Sequence, residues 1–131
     1  MVLKIDLSKA YDRVSWIYLG VILTKMGFGV PFITWVMISL TSVSFSVLIN
    51  GVASSFFRSG RRLRQGCPLA PLLFLVVVEG LSRALLSAKN NGVFRGISFG
   101  NNISLTHVLF VDDIVMITDG SASLYLFCMK F

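Results

Sequence analysis

An apolar run, Val108-Leu109-Phe110-Val111, leads straight into Asp112-Asp113 and leaves through Ile114-Val115-Met116-Ile117. Adjacent carboxylates at the apex of two apolar strands are costly, because like charges repel and a desolvated carboxylate loses its hydration. A positive partner is required to offset them. Mg²⁺ suits such a site, since hard cations take oxygen ligands and bind through one or two carboxylates together with substrate phosphates. A second apolar strand, Val2-Leu3-Lys4-Ile5, delivers another carboxylate, Asp6, the third ligand for a shared metal site. Taken singly, each of these acids reads better as an acidic turn exposed to water than as a ligand. All three converging on one point is the pattern that calls for a metal.

Elements with helical and strand periodicity must carry these residues. Val14, Ile17, Tyr18, Val21 and Ile22 recur at helical spacing, with Gly27 placed as a C-terminal stop. Pro31 opens a second short helix to Leu40. Phe45, Val47 and Ile49 alternate with smaller or polar residues up to Asn50-Gly51, the strongest short hairpin signal, so Val52–Phe57 is the returning strand. Pro71 suits a first helical turn, and a long helix is expected from there to Lys89, stopped by Asn90-Asn91-Gly92. Gly100-Asn101-Asn102 then turns the chain between Ile97-Ser98-Phe99 and the strand leading to the acids. Strand, helices, hairpin, helix and strands in that order predict an α+β fold, with helices on one face of a mainly antiparallel sheet.

The 131 residues predict one domain with one core. Apolar residues make up 55% of the chain, and the mean hydropathy of +0.81 is high for a domain that must clothe its own surface. Covering polypeptide or a membrane accounts for such an excess. The apolar run Leu69–Val78 is too short to span a bilayer and is followed by Glu79 and Arg83, so neighbouring polypeptide is preferred and no membrane is expected. A net charge of +6 suits a polyanion partner. Arg58, Arg61, Arg62 and Arg64 cluster and could hold phosphates, but by itself a short basic run is more often a solvated edge. Cys67 and Cys128 are too few for a disulfide framework or a zinc site. They read as reduced thiols of an intracellular protein, nuclear or cytoplasmic. His107 stands alone and reads as a core or strand residue.

Three blocks occur in order: Lys4-Ile5-Asp6-Leu7-Ser8-Lys9-Ala10-Tyr11-Asp12-Arg13-Val14; Arg64-Gln65-Gly66-Cys67-Pro68-Leu69-Ala70-Pro71-Leu72-Leu73-Phe74; and Phe110-Val111-Asp112-Asp113. Together they closely resemble motifs A, B and C in the palm of reverse transcriptases, specifically the LINE-type enzymes of non-LTR retrotransposons. Ser15-Trp16 and Lys25-Met26-Gly27-Phe28 resemble the versions common in plants. The resemblance spans nearly the whole chain and implies a polymerase palm-like antiparallel sheet, residues 1–131 forming a partial reverse transcriptase domain.

It implies further that Asp6, Asp112 and Asp113 are the catalytic metal ligands for two Mg²⁺ ions, with Mn²⁺ as a substitute. Tyr11 would lie beneath the incoming sugar and exclude a 2′-hydroxyl, while Gln65 and Gly66 would border nucleotide and template. Arg61, Arg62 and Arg64 would meet phosphates. The implied partners are an RNA template, a DNA primer and a deoxynucleoside triphosphate. Val111 replaces a usual alanine, Ala70 a usual serine, and Cys67 stands where aspartate or cysteine occurs; none of these removes a metal ligand. The chain opens at motif A and closes before a primer grip, so it is expected to be a truncated palm without fingers and thumb, inactive alone. Two other readings compete: a basic palm-like module that holds RNA without chemistry, and a small membrane-associated protein.

Overall fold

A computed structural model describes residues 1–64, 66–100, 103–110 and 113–118. They divide into two compact units. The first is Met1–Ser8 with the described residues from Val78 to Thr118, and the second is the described residues of Lys9–Val77.

In the second unit a four-residue helix α1 (Ala10–Arg13) is followed by α2 (Trp16–Lys25), following β1 (Val2–Asp6) of the first unit. The sequence pattern begins the helix at Val14; the break falls there because Ser15 is extended and its hydroxyl accepts the Tyr18 N–H. At the other end Phe28 N–H reaches the Leu23 carbonyl and Gly27 N–H that of Thr24. Gly27 has φ +85, so its lack of a Cβ is what closes this turn. Helix α3 (Val30–Thr41) carries Pro31 in its first turn, as expected.

Four two-residue strands follow: β2 (Ser44–Phe45), β3 (Leu48–Ile49), β4 (Val52–Ala53) and β5 (Phe57–Arg58). Asn50 and Gly51 both take left-handed conformations between paired Ile49 and Val52, as the hairpin signal predicts. The strands are shorter than the alternation suggests, for a local reason. The Ser46 hydroxyl donates to the Ser54 carbonyl (2.8 Å) and the Ser54 hydroxyl accepts from Val47 N–H (3.0 Å), so side chains take over positions of the ladder. Leu19, Leu23, Val36, Leu63, Leu73 and Phe74 are buried in this unit.

Helix α4 (Ala70–Asn90) runs through both units. It has 21 residues and is long and apolar enough to cross a membrane by length and composition, a test that a buried core helix also passes. The apolar run Leu69–Val78, too short to span, covers only its first half, so helix length does not carry that exclusion. Val93 N–H to the Ala88 carbonyl and Gly92 N–H to that of Lys89 end it where Asn90-Asn91-Gly92 predicted.

The first unit holds the sheets β6 (Ile97–Phe99) with β7 (Ile103–Leu105), and β8 (His107–Phe110) with β9 (Asp113–Ile117) and β1, in the order β1-β9-β8, every pair antiparallel. On one face Leu3, Ile5, Leu109, Ile114 and Met116 pack against Leu81, Leu85, Ala88 and Phe94. The α+β reading therefore holds, with α4 residues covering that face. Gly96 lies so near the next segment that a Cβ would collide with the Leu105 carbonyl and the Thr106 methyl.

His107 stands in β8 and ties sheet to helix. One ring nitrogen lies 2.8 Å from the Ser82 hydroxyl on α4 and the other 2.9 Å from that of Thr106. Burial lowers its pKa below the ordinary imidazole value, against an opposing pull from Glu79, itself paired with Arg83. A base whose folded pKa is lowered binds its proton more readily when unfolded, so stability is complete above about pH 6.5 and declines below it. His107 is the single histidine. Urea denaturation at pH 7.5 and pH 5.5 should show a loss of stability at the acidic pH that is smaller in His107→Gln; equal losses would show that the imidazole environment carries no weight.

Candidate functional site

The backbone ladder between β1 and β9 pairs Val2 with Ile117, Leu3 with Met116, Lys4 with Val115, Ile5 with Ile114, and Asp6 with Asp113. Alternate residues of a strand face opposite sides, and directly opposed residues share a side with Cβ atoms about 4.5–5.5 Å apart. Leu3, Ile5, Ile114 and Met116 take the packed side. Val2, Lys4, Asp6, Asp113 and Val115 therefore share the open one. On β8, Phe110 pairs with Asp113, so Asp6, Asp113 and Phe110 form a row across three strands.

Opposed like charges are destabilising, and here a cation lies beside them. Lys4 Nζ is 2.9 Å from Asp113 Oδ2, the side chains being 64% and 33% exposed. Sequence reasoning missed this pair, although Lys4 and Asp6, two apart on one strand, already had to share a face. Asp112 and its neighbour Val111 lie outside the described residues. Among the described residues no group of three or more metal-ligating side chains assembles. The donors that do meet, Asp6 and Asp113, are hard carboxylate oxygens on an open face, a chemistry that fits Mg²⁺ or Mn²⁺ and not a soft-metal site.

The remaining predicted residues fall in the second unit. The Tyr11 ring stacks on Phe74, centroids 4.6 Å apart and 15° between planes. Tyr11 and Gly66 line one open groove together with Cys67, Pro68, Ala70 and Pro71. Gln65 lies outside the described residues, as does Cys128; Cys67 is a free thiol. The structure separates the arginines by surroundings. Arg61 and Arg64 are exposed. Arg62 turns to its own unit, its guanidinium 4.8 Å over the Phe45 ring and its Nε 3.8 Å from Asp12 Oδ1. Its N–H donates to the Val14 carbonyl, and its own carbonyl accepts from Trp16 Nε1 at 2.8 Å.

Residues 1–128 match the family model described as reverse transcriptase (RNA-dependent DNA polymerase). The chain belongs to the reverse transcriptase family. Among its relatives, an uncharacterized mitochondrial protein of Arabidopsis thaliana is 40% identical over 50% of this chain and 55% of its own length. A retrovirus-related Pol polyprotein from a type-2 retrotransposable element of Drosophila melanogaster is 30% identical over 88% of this chain and 10% of the polyprotein. The corresponding polyprotein of a type-1 element of Popillia japonica is 25% identical, covering 90% of this chain and 19% of its own. The reverse transcriptase chain thus spans about half the length of the plant relative and a small part of the polyproteins. Both the plant-like and the non-LTR readings of its motifs agree with this company.

Arg62 has φ +106, a left-handed backbone that favours glycine over any residue with a Cβ. Replacing it separates backbone from side chain: Arg62→Gly and Arg62→Ala both lose the Phe45 and Asp12 contacts, but only the alanine retains the strain. Chemical denaturation should therefore find the glycine variant more stable than the alanine variant by about 1 kcal/mol, opposite to the usual order.

Proposed function

We propose that this chain carries the palm of an RNA-directed DNA polymerase, with Asp6, Asp112 and Asp113 as the ligands of two Mg²⁺ ions. The observation that supports it most is the pairing of Asp6 with Asp113, which sets two carboxylates from distant parts of the sequence side by side. Bound metals would supply the positive charge that stabilises the attacking and leaving oxygens of an in-line displacement at phosphorus. Asp6 and Asp113 each stand in a paired strand, which limits their freedom compared with a place in a loop. Tyr11, braced on Phe74, would present a ring against the sugar and exclude a 2′-hydroxyl, favouring deoxynucleotides. Gly66 beside it allows close backbone approach, with Gln65 adjacent in sequence. Arg61 and Arg64 are the arginines suited to phosphates of RNA template, DNA primer or nucleotide. Arg62, engaged with Asp12 and Phe45, would shape the loop that presents them.

Much apolar surface stays open: Ile17, Trp35 and Phe56 are 82%, 68% and 80% exposed. Patches of that kind mark surfaces that other polypeptide covers. In the parent polymerase, fingers and thumb would do so, and the 131 residues alone would not clamp a primer-template.

Two measurements test this reading. Mn²⁺ titration followed by electron paramagnetic resonance should show binding that Asp6→Asn and Asp112→Asn each weaken at least about tenfold, the scale of losing one charged ligand. Retention of RNA without any Mn²⁺ binding would favour the non-catalytic module instead. Primer extension on an RNA template by the 131 residues should be undetectable with Mg²⁺ or Mn²⁺; extension that Asp112→Asn abolishes would overturn the inactivity while supporting the chemistry.

A further inference from the structure

The Lys4–Asp113 ion pair lies at the acid cluster, and the polymerase reading makes no use of it. Its geometry follows from the register. Lys4 lies opposite Val115 and Asp6 opposite Asp113, so Lys4 and Asp113 are diagonal neighbours on the open face, within reach of a long side chain. Lys4 Nζ approaches one carboxylate oxygen, Oδ2, at 2.9 Å. An ammonium donates hydrogen bonds and accepts none, so it occupies one lone pair of that oxygen and adds a positive charge where a divalent cation would enter.

We propose that Lys4 is a positioning residue of the acid cluster: it holds Oδ2 of Asp113, leaves the other oxygen to a metal shared with Asp6, and lowers the affinity of the pair for a divalent cation. The inference rests on the reading of Asp6 and Asp113 as metal ligands. Two consequences follow from charge alone. Without metal, Lys4 relieves the repulsion between the opposed carboxylates. With metal, it opposes entry at Asp113, so the cation must share or displace an existing partner. The site is thus tuned toward weak, exchangeable binding, with Asp6 less encumbered than Asp113 on its described contacts.

Mn²⁺ titration by electron paramagnetic resonance, on the intact 131-residue chain, separates these effects. Lys4→Met should bind Mn²⁺ about fivefold more tightly, the range of a single exposed charge pair. Lys4→Arg, which keeps the charge, should stay close to the parent protein. In an Asp113→Asn background the Lys4→Met substitution should produce a clearly smaller change, because the described carboxylate partner of Lys4 is gone. Lys4 is mostly exposed, and circular dichroism of each variant verifies that the fold is kept. Mn²⁺ binding that is lost in Asp6→Asn but indifferent to Lys4→Met would overturn the role of Lys4 and leave the metal reading standing. Equal tightening in the parent and in the Asp113→Asn background would show that Lys4 acts as general surface charge, which also overturns it. Failure of the parent protein to bind Mn²⁺ would overturn both.

Discussion

The antiparallel register of β1 against β9 is the constraint on which the acid cluster depends. Side chains in a strand alternate with a period of two, so a slip of one residue would send Leu3 and Ile5 into solvent and Asp6 into the core. Burying an aliphatic side chain is worth about 1.5–3 kcal/mol, and several are buried on the packed face. Two carboxylates about 5 Å apart in water repel by under about 1 kcal/mol. The apolar face therefore decides the register, and the acids accept the place that it dictates. Lys4 reduces the residual cost without being needed to set the alignment.

That ordering of energies explains which features were legible. The alternation in Val2–Asp6 and Ile114–Ile117 announces two strands with one face each, and Gly27, Gly92 and Asn50-Gly51 mark turns because their backbone conformations are costly for other residues. Convergence of the acids was expected; the register opposes Asp6 and Asp113, and Asp112 lies outside the described residues. The features that periodicity did not show arise from side chains acting on nearby backbone. Ser46 and Ser54 interrupt a hairpin that the pattern drew as continuous, and Ser15 separates α1 from α2. Arg62 is the sharpest case: it reads as one of a cluster of surface charges, yet a backbone conformation and two partners within its own unit give it a structural place. No spacing rule reports a positive φ at an arginine.

Helix α4 shows how little composition alone decides. Its apolar content meets the length and hydropathy of a membrane span, yet it supplies Leu73 and Phe74 to one buried core and Leu85 and Ala88 to another. Even so, Leu72, Leu75 and Leu86 stay exposed, so its apolar content exceeds what the two cores bury. These exposed leucines add to the chain's high hydropathy, alongside the other apolar side chains that remain exposed.

Gly96 carries a different kind of consequence. The space a side chain would fill is already taken by the Leu105 carbonyl and the Thr106 methyl. Every amino acid reachable from a glycine codon by a single base change adds at least a Cβ, so none is conservative at this position. The fold has no gradual evolutionary route away from this residue: inheritance must keep it, or the two segments must move apart together.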